Sequence, residues 1–209
     1  MKKSLVVLLI ALAIVALFVG CKDPEVTYEV GGKGPAGGYI FYDCDADNTE
    51  DGGAGKDGLK SSECGWRFLE AAPEGLGTHK WGTSSATSSY ETEAGIGKGK
   101  SNMEKFKYYG IGNFPAAEAC SKYNAGGYSD WFLPSIDEMK EMYKHQVGIG
   151  ISDGNTGVQA WSSTESDSRI SNYYQGNTPI AIKEAFGYSE NQQYELRTCS
   201  LAVWPIRSF

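Results

Sequence analysis

Residues 130–143 read DWFLPSIDEMKEMY. Pro134 biases the residue before it towards extended backbone, and Ser135 followed three positions later by Glu138 has the spacing of a capping box, so a helix is expected to start here. From that start Ile136, Met139, Met142 and Tyr143 fall on one helical face, whereas Asp137, Glu138, Lys140 and Glu141 fall on the other and are expected to face water. Acidic residues in a first turn also suit the positive end of the helix dipole. The acidic cluster is therefore read as the wet side of a scaffold helix. Trp131 and Pro134 shape the bend that leads into it.

Working outward, Pro115 opens a second helix, AAEACSKYN, which should stop before Gly126-Gly127. Ser101 and Glu104 repeat the capping-box spacing and predict a third over KFKYYG. Upstream, GGYIFYD (37–43) has four bulky residues in a row and reads as a strand buried on both faces, with GWRFLEAAP (65–73) as its partner. Between them CDADNTEDGGAGKDGLKSSEC (44–64) is too polar to fold by itself. Residues 22–34 read as a tether running into an edge strand. After Gly157 four strands are expected: VQAWSSTE, SNYYQG, IAIKEAFGYS and YELRTCSLAVWPIRSF, the last a single alternating strand with a bulge or edge at Pro205. With 27 glycines and 13 tyrosines, the composition fits a strand-and-loop α+β protein.

The chain opens with Lys2 and Lys3, then an apolar run from Leu5 to Val19, the plan of a bacterial secretory signal. Phe18-Val19-Gly20-Cys21 resembles the lipobox of bacterial lipoproteins, with Phe18 in place of the usual aliphatic residue. The expectation is a signal peptide over 1–20, a lipidated Cys21 and tether over 21–34, and one domain over 35–209. An uncleaved anchor and a simple secretory signal are the alternatives. Acyl chains on Cys21, at about 0.8 kcal/mol per buried methylene, would hold the domain on a bacterial membrane, with the outer membrane or cell surface expected. Loss of Lys2 and Lys3 takes the net charge from −7 to −9. That balance argues against nucleic acid and weakens the case for sulfated polysaccharide as a partner.

Four cysteines remain after Cys21, an even number that in an exported protein is read as two bridges. Three connectivities are open; Cys44–Cys64, stapling the insertion, and Cys120–Cys199, tying a helix to the last strand, are favoured. A zinc site is disfavoured because no C-x-x-C spacing occurs and His79 and His145 stand alone.

Taken in order, CSKYNAGGYSDWFLPSIDEM, WSSTE and VWPIRSF resemble the Lcl C-terminal domain family, a bacterial extracellular family named after a collagen-like adhesin. GPAGGYIFYD, GWRFLEAAP, WG and GIGKGKSN resemble the front half of related spirochaete-type lipoproteins, so the likeness spans nearly all of the mature chain. Phe132 stands where the family has arginine, and Ser135 where it has threonine. The resemblance implies a C-type-lectin-like fold, with a small twisted antiparallel sheet, about three flanking helices and long loops carrying specificity. Such a fold implies no chemistry by itself. Formylglycine-generating enzymes share it, but their paired reactive cysteines are not matched here, where the cysteines are read as bridges.

GIGKGKSN (95–102) lacks the spacing of a phosphate loop and reads as a turn entering a helix. Asp43, Asp45, Asp47 and Asp51 offer oxygens for a weak calcium site, although Asn48 and Ala54 break the EF-hand pattern. Asn172, Tyr173, Tyr174, Gln175, Asn177, Tyr188, Asn191 and Gln192 combine stacking faces with amides, as in glycan or protein recognition, although alternate members could pack a sheet. Trp81 and Tyr90, flanking a Ser/Thr-rich loop, form a second exposed-aromatic candidate. Trp66, Trp131, Trp161 and Trp204 are assigned to the framework. His79 and His145 are each read as solvated or capping. The expected function is noncovalent recognition of a host or envelope ligand, adhesin-like and without catalysis. A passive envelope lipoprotein is the rival, and a divergent enzyme the third.

Overall fold

The computed structural model describes residues 26–46, 60–83, 90–152, 158–165, 180–186 and 192–209. GGYIFYD supplies strand β1 (Tyr39–Asp43), in which Ile40, Phe41 and Tyr42 are all buried. Adjacent residues point to opposite faces of a strand, so burial of all three means that both faces are covered. Its antiparallel partner is β2 (Phe68–Ala71), in the register Tyr39↔Ala71 and Asp43↔Phe68. On the other side of β2 lies β8 (Ile206–Ser208), with Leu69 opposite Ser208 and Ala71 opposite Ile206. Gly38 makes the approach to β2 close enough: a Cβ there would fall 2.0 Å from the Ala71 carbonyl oxygen.

A second sheet holds five strands: β3 (Thr78–Lys80), β7 (Ser200–Ala202), β4 (Val158–Glu165), β5 (Ile180–Phe186) and β6 (Gln192–Leu196), in that spatial order. Its pairings are antiparallel except β4 with β7, which meet in parallel at Ala160 and Ala202. Helices α1 (Ser61–Cys64), α2 (Lys98–Tyr108), α3 (Pro115–Lys122), α4 (Ile136–Lys144) and α5 (Gln146–Ile149) complete the mixed α/β architecture. One apolar core runs through both sheets and the longer helices, with Phe41, Leu69, Trp81, Phe106, Phe114, Leu133, Met139, Trp161 and Val203 in contact. Side chains of this size each contribute roughly 1.5–3 kcal/mol when fully buried. The indole N–H groups of Trp81, Trp131, Trp161 and Trp204 donate to the carbonyls of Ser162, Tyr128, His79 and Ala72, so these rings enter the core without stranding a donor. Trp131 and Trp161 are buried as expected; Trp66 and Trp204 are partly so.

Four expectations are corrected. YELRTCSLAVWPIRSF is not one strand but contributes to β6, β7 and β8, which belong to two sheets. A turn at 197–199 separates the first two, and Pro205, which has no N–H to give a ladder, sits in the crossing to the third. Helix α2 starts at Lys98, behind Gly97 at φ +80°, and the Ser101 hydroxyl donates to the Lys98 carbonyl inside the first turn instead of capping. The edge strand of 22–34 reduces, among described residues, to one bridge between Lys33 and Tyr39. Finally, Glu138 does not face water: it is 0% exposed.

The sequence motifs meet in two buried polar networks. In the first, the Glu70 carboxylate, also 0% exposed, accepts from the backbone N–H groups of Ala36 (3.1 Å) and Gly38 (2.7 Å) and from Arg207 Nη1 (3.2 Å). Arg207 in turn donates from Nε and Nη2 to the two oxygens of Asp130 at 2.9 and 3.1 Å, and its guanidinium lies over the Tyr128 ring at 3.9 Å. GPAGG, GWRFLEAAP, DWFLP and VWPIRSF thus each supply one anchor of a single ion network. In the second, Glu138 caps two helices at once. It accepts from Ser135 N at the start of α4 (2.6 Å) and from Gly97 N at the start of α2 (2.9 Å), while Ser135 Oγ donates to the Gly95 carbonyl (2.8 Å). The capping box expected at Ser135 and Glu138 is formed.

Candidate functional site

The amides of GIGKGKSN that could hold a phosphate are turned inward, because Gly97 N–H is taken by the Glu138 carboxylate and that carboxylate packs against Gly99, where a Cβ would fall 2.4 Å from its oxygen. Burial pushes Glu138 up to about 7, against the hydrogen bonds from Ser135, Gly97 and Gly99 that favour its ionised form. An internal carboxyl already occupies the anion position at this helix start.

The two described aspartates of the calcium candidate are engaged with the protein. Asp43 makes a two-pronged pair with Arg67 (3.0 Å to each oxygen) and accepts from Asp45 N (3.0 Å). Asp45 accepts from Ser61 N (2.8 Å) and from the Ser61 hydroxyl. Those hydrogen bonds hold the Asp45 carboxyl below its ordinary range. Asp47 and Asp51 lie outside the described residues. Among the described residues no three Cys, His, Asp or Glu side chains converge as metal ligands.

His79 lies on β3 with Nε2 3.1 Å from the Leu76 carbonyl oxygen. His145 ends α4 and packs against the Tyr39 ring, where burial lowers its pKa and favours the neutral imidazole. Cys120 is sealed in the core on α3, whereas Cys199, in the turn between β6 and β7, places its sulfur 3.7 Å from Glu195 Oε1. Cys44 and Cys64 come together with their sulfurs 3.7 Å apart. Among the described residues no pair of sulfurs stands at bonding distance.

Cys21 and the recognition candidates Asn172, Tyr173, Tyr174, Gln175, Asn177, Tyr188 and Asn191 lie outside the described residues. Trp81 requires correction: it is 1% exposed, not a surface ring. Its position after β3 places it among Phe106 and Phe114, which meet it edge-on at 5.4 and 5.6 Å. Tyr90 is half-buried and leads outward from it. The Tyr90 ring meets Phe114 at 4.8 Å and Tyr109 at 5.1 Å, both edge-on, and Tyr109 meets Tyr108 at 5.1 Å. Exposure rises along this run, to 42% at Tyr109 and 84% at Tyr108.

The inner end of the run is held rigidly. Arg197 lies over the rings of Trp81 (4.8 Å) and Tyr90 (5.1 Å) and pairs with Glu165 (2.9 Å), whose other carboxylate oxygen accepts from Tyr90 N (2.6 Å). Thr92 Oγ1 accepts from Glu165 N (2.7 Å) and fixes that end of β4. Lys105 pairs with Glu93 at 3.5 Å and touches the Glu91 carbonyl, so it holds the chain that follows Tyr90 against α2. Tyrosine faces backed this way can stack on an apolar ring or sugar face, while their hydroxyls exchange hydrogen bonds with it. Tyr108 and Tyr109 were not singled out from the sequence. The signal for them is local: KYYG closes a helix with adjacent tyrosines, and neighbours in a helix diverge by about 100°, so two cannot both point into one core.

No protein-family model matches this chain, and no curated protein shows significant similarity to it.

Proposed function

We propose that this chain is a lipid-anchored extracytoplasmic binding protein, an adhesin-like or ligand-recognition module for a glycan or protein, that works without turnover on a C-type-lectin-like framework. The observation that carries the reading is the tyrosine run Tyr90–Tyr109–Tyr108, which is backed by Arg197 and Phe114 and ends in a ring 84% exposed. Rigid rings of this kind give contact area at little entropic cost. The resemblance to an extracellular adhesin family and the lipobox-like Phe18–Cys21 support the location. The charge of −9 expected after loss of Lys2 and Lys3 favours neutral or cationic ligands over sulfated ones.

The test is binding of residues 22–209 to arrays of neutral glycans and matrix proteins, with calcium and with chelator. A ligand should be found whose affinity drops at least tenfold in Tyr108→Ala and Tyr109→Ala, with melting temperature unchanged in the first. Binding indifferent to both substitutions would remove the tyrosine run from the proposal. Silence across both arrays would favour a passive envelope protein.

A further inference from the structure

The root of the β1–β2 hairpin presents two thiols to each other. Cys44 directly follows β1, where its N–H extends the ladder to the Arg67 carbonyl (2.9 Å), and it is 2% exposed. Cys64 ends α1, and Gly65 at φ +76° then turns the chain back into β2. Their sulfurs are 3.7 Å apart, and each lies against the same acceptor, the Trp66 carbonyl oxygen, at 3.1 Å from Cys44 and 2.9 Å from Cys64. The flanking chain is independently clamped by Asp45 on Ser61 and by Asp43 on Arg67. The two thiols are thus held close by the backbone ladder and by the Asp45–Ser61 and Asp43–Arg67 contacts, with Cys44 Sγ itself 3.9 Å from Asp45 Oδ1.

We infer that Cys44 and Cys64 form an intramolecular disulfide by exchange with an external disulfide, covalently closing the hairpin at the root of the 45–63 insertion. The more exposed sulfur, Cys64, attacks one sulfur of the external disulfide as a thiolate and expels one thiol. Cys44 then attacks Cys64 in the mixed disulfide and releases the second. Two protein thiols lose two electrons, the external disulfide gains them, and the two protons leave on its two thiols. Burial, the neighbouring Cys64 thiol and the Asp45 and Asp43 carboxylates push the Cys44 thiol up to about 12. A sulfur so reluctant to carry charge is both a slow attacker and a poor leaving group, so exchange is slowed in both directions, and persistence of the bridge rests on the close approach of the two sulfurs. Its occurrence in the cell rests on the export reading; its formation by the purified protein does not.

The experiment equilibrates the purified chain 22–209 with glutathione buffers of graded ratio, quenches with acid, alkylates in denaturant and maps peptides by mass spectrometry. The expected result is one linked peptide pair containing Cys44 and Cys64, persisting at a hundredfold excess of reduced over oxidised glutathione. Relative to the Cys44→Ser/Cys64→Ser double variant, the oxidised protein should melt about 5–10 °C higher. Far-UV circular dichroism of the double variant checks that it folds. Alkylation of both residues under oxidising ratios, or linkage of either to Cys120 or Cys199, overturns the inference. Thiol trapping in intact cells addresses the other premise: a bridge that forms in the buffer but is absent in cells leaves the inference standing and removes the export reading.

Discussion

Glu70 and Glu138 are both wholly buried, and both hold glycine-rich turns through backbone N–H groups, yet they are neutralised differently. Glu70 faces a guanidinium, Arg207, which Asp130 and the Tyr128 ring fix in place. Around Glu138 the donors are neutral, those of Ser135, Gly97 and Gly99, and no cation hydrogen-bonds it among the described residues. A buried carboxyl without a counter-ion retains its proton towards neutral pH, which is why Glu138 rises to about 7. The first network is therefore an ion-pair device that stitches four distant segments, and the second is a proton-sensitive cap that joins two helix starts.

The largest effect is expected from breaking the ion pair. Arg207→Met leaves Glu70 buried beside no cation and should cost about 3–5 kcal/mol in urea unfolding at pH 7, while adding Glu70→Gln to that variant should recover most of the loss. Equal stability of the single and double variants would show that the guanidinium matters only for packing. At Glu138 the effect depends on pH. The unfolded carboxyl ionises near 4.5 and the folded one near 7, so the folded state holds an extra proton between these values, and stability from this group, full below 4.5, is lost as pH rises through 7. Wild type relative to Glu138→Gln should accordingly lose roughly 3 kcal/mol between pH 4.5 and pH 8. A difference that stays flat across that range would refute the assignment of a raised pKa.

Ser135→Ala removes one acceptor at the start of α4, the donor to Gly95 and a hydrogen bond that favours ionised Glu138, and should cost about 1–2 kcal/mol, more above pH 7 than below pH 4.5, measured by the same unfolding curves. The smallest effect is expected at Lys122, whose partner Glu118 lies one turn away with both side chains at the surface, 71% and 31% exposed. Lys122→Ala should change stability by less than about 0.5 kcal/mol and fixes the baseline for a solvated carboxylate–cation contact.

Much of the framework is local and could be read from residues alone. Pro115 does open α3, Ser135 does cap α4, and the apolar run in GGYIFYD does make a strand covered on both faces. Each of those signals is complete within a few positions. What escaped is non-local. Glu138 reads as a solvent residue by helical period, and only the arrival of Gly97, 41 positions away, explains its burial. Alternation runs from Cys199 to Trp204, but membership of two sheets depends on β2 and β3, far upstream, each claiming a different piece of the segment from Tyr194 to Phe209. Trp81 beside a polar loop looks exposed until α2 and Phe114 close over it. Of the candidate site, Tyr90 was identified from sequence, whereas Tyr108 and Tyr109 were absorbed into a helix whose buried face they do not share.

The position of β8 carries a kinetic consequence. Its ladder to β2 joins residues 137 apart, as the Glu70–Arg207 contact measures, so the three-stranded sheet closes only by bringing together distant parts of the chain. The β1–β2 hairpin and the helices close over short separations, so adding β8 to that sheet is the most non-local step of assembly and the one that destabilised variants of Arg207 should slow most.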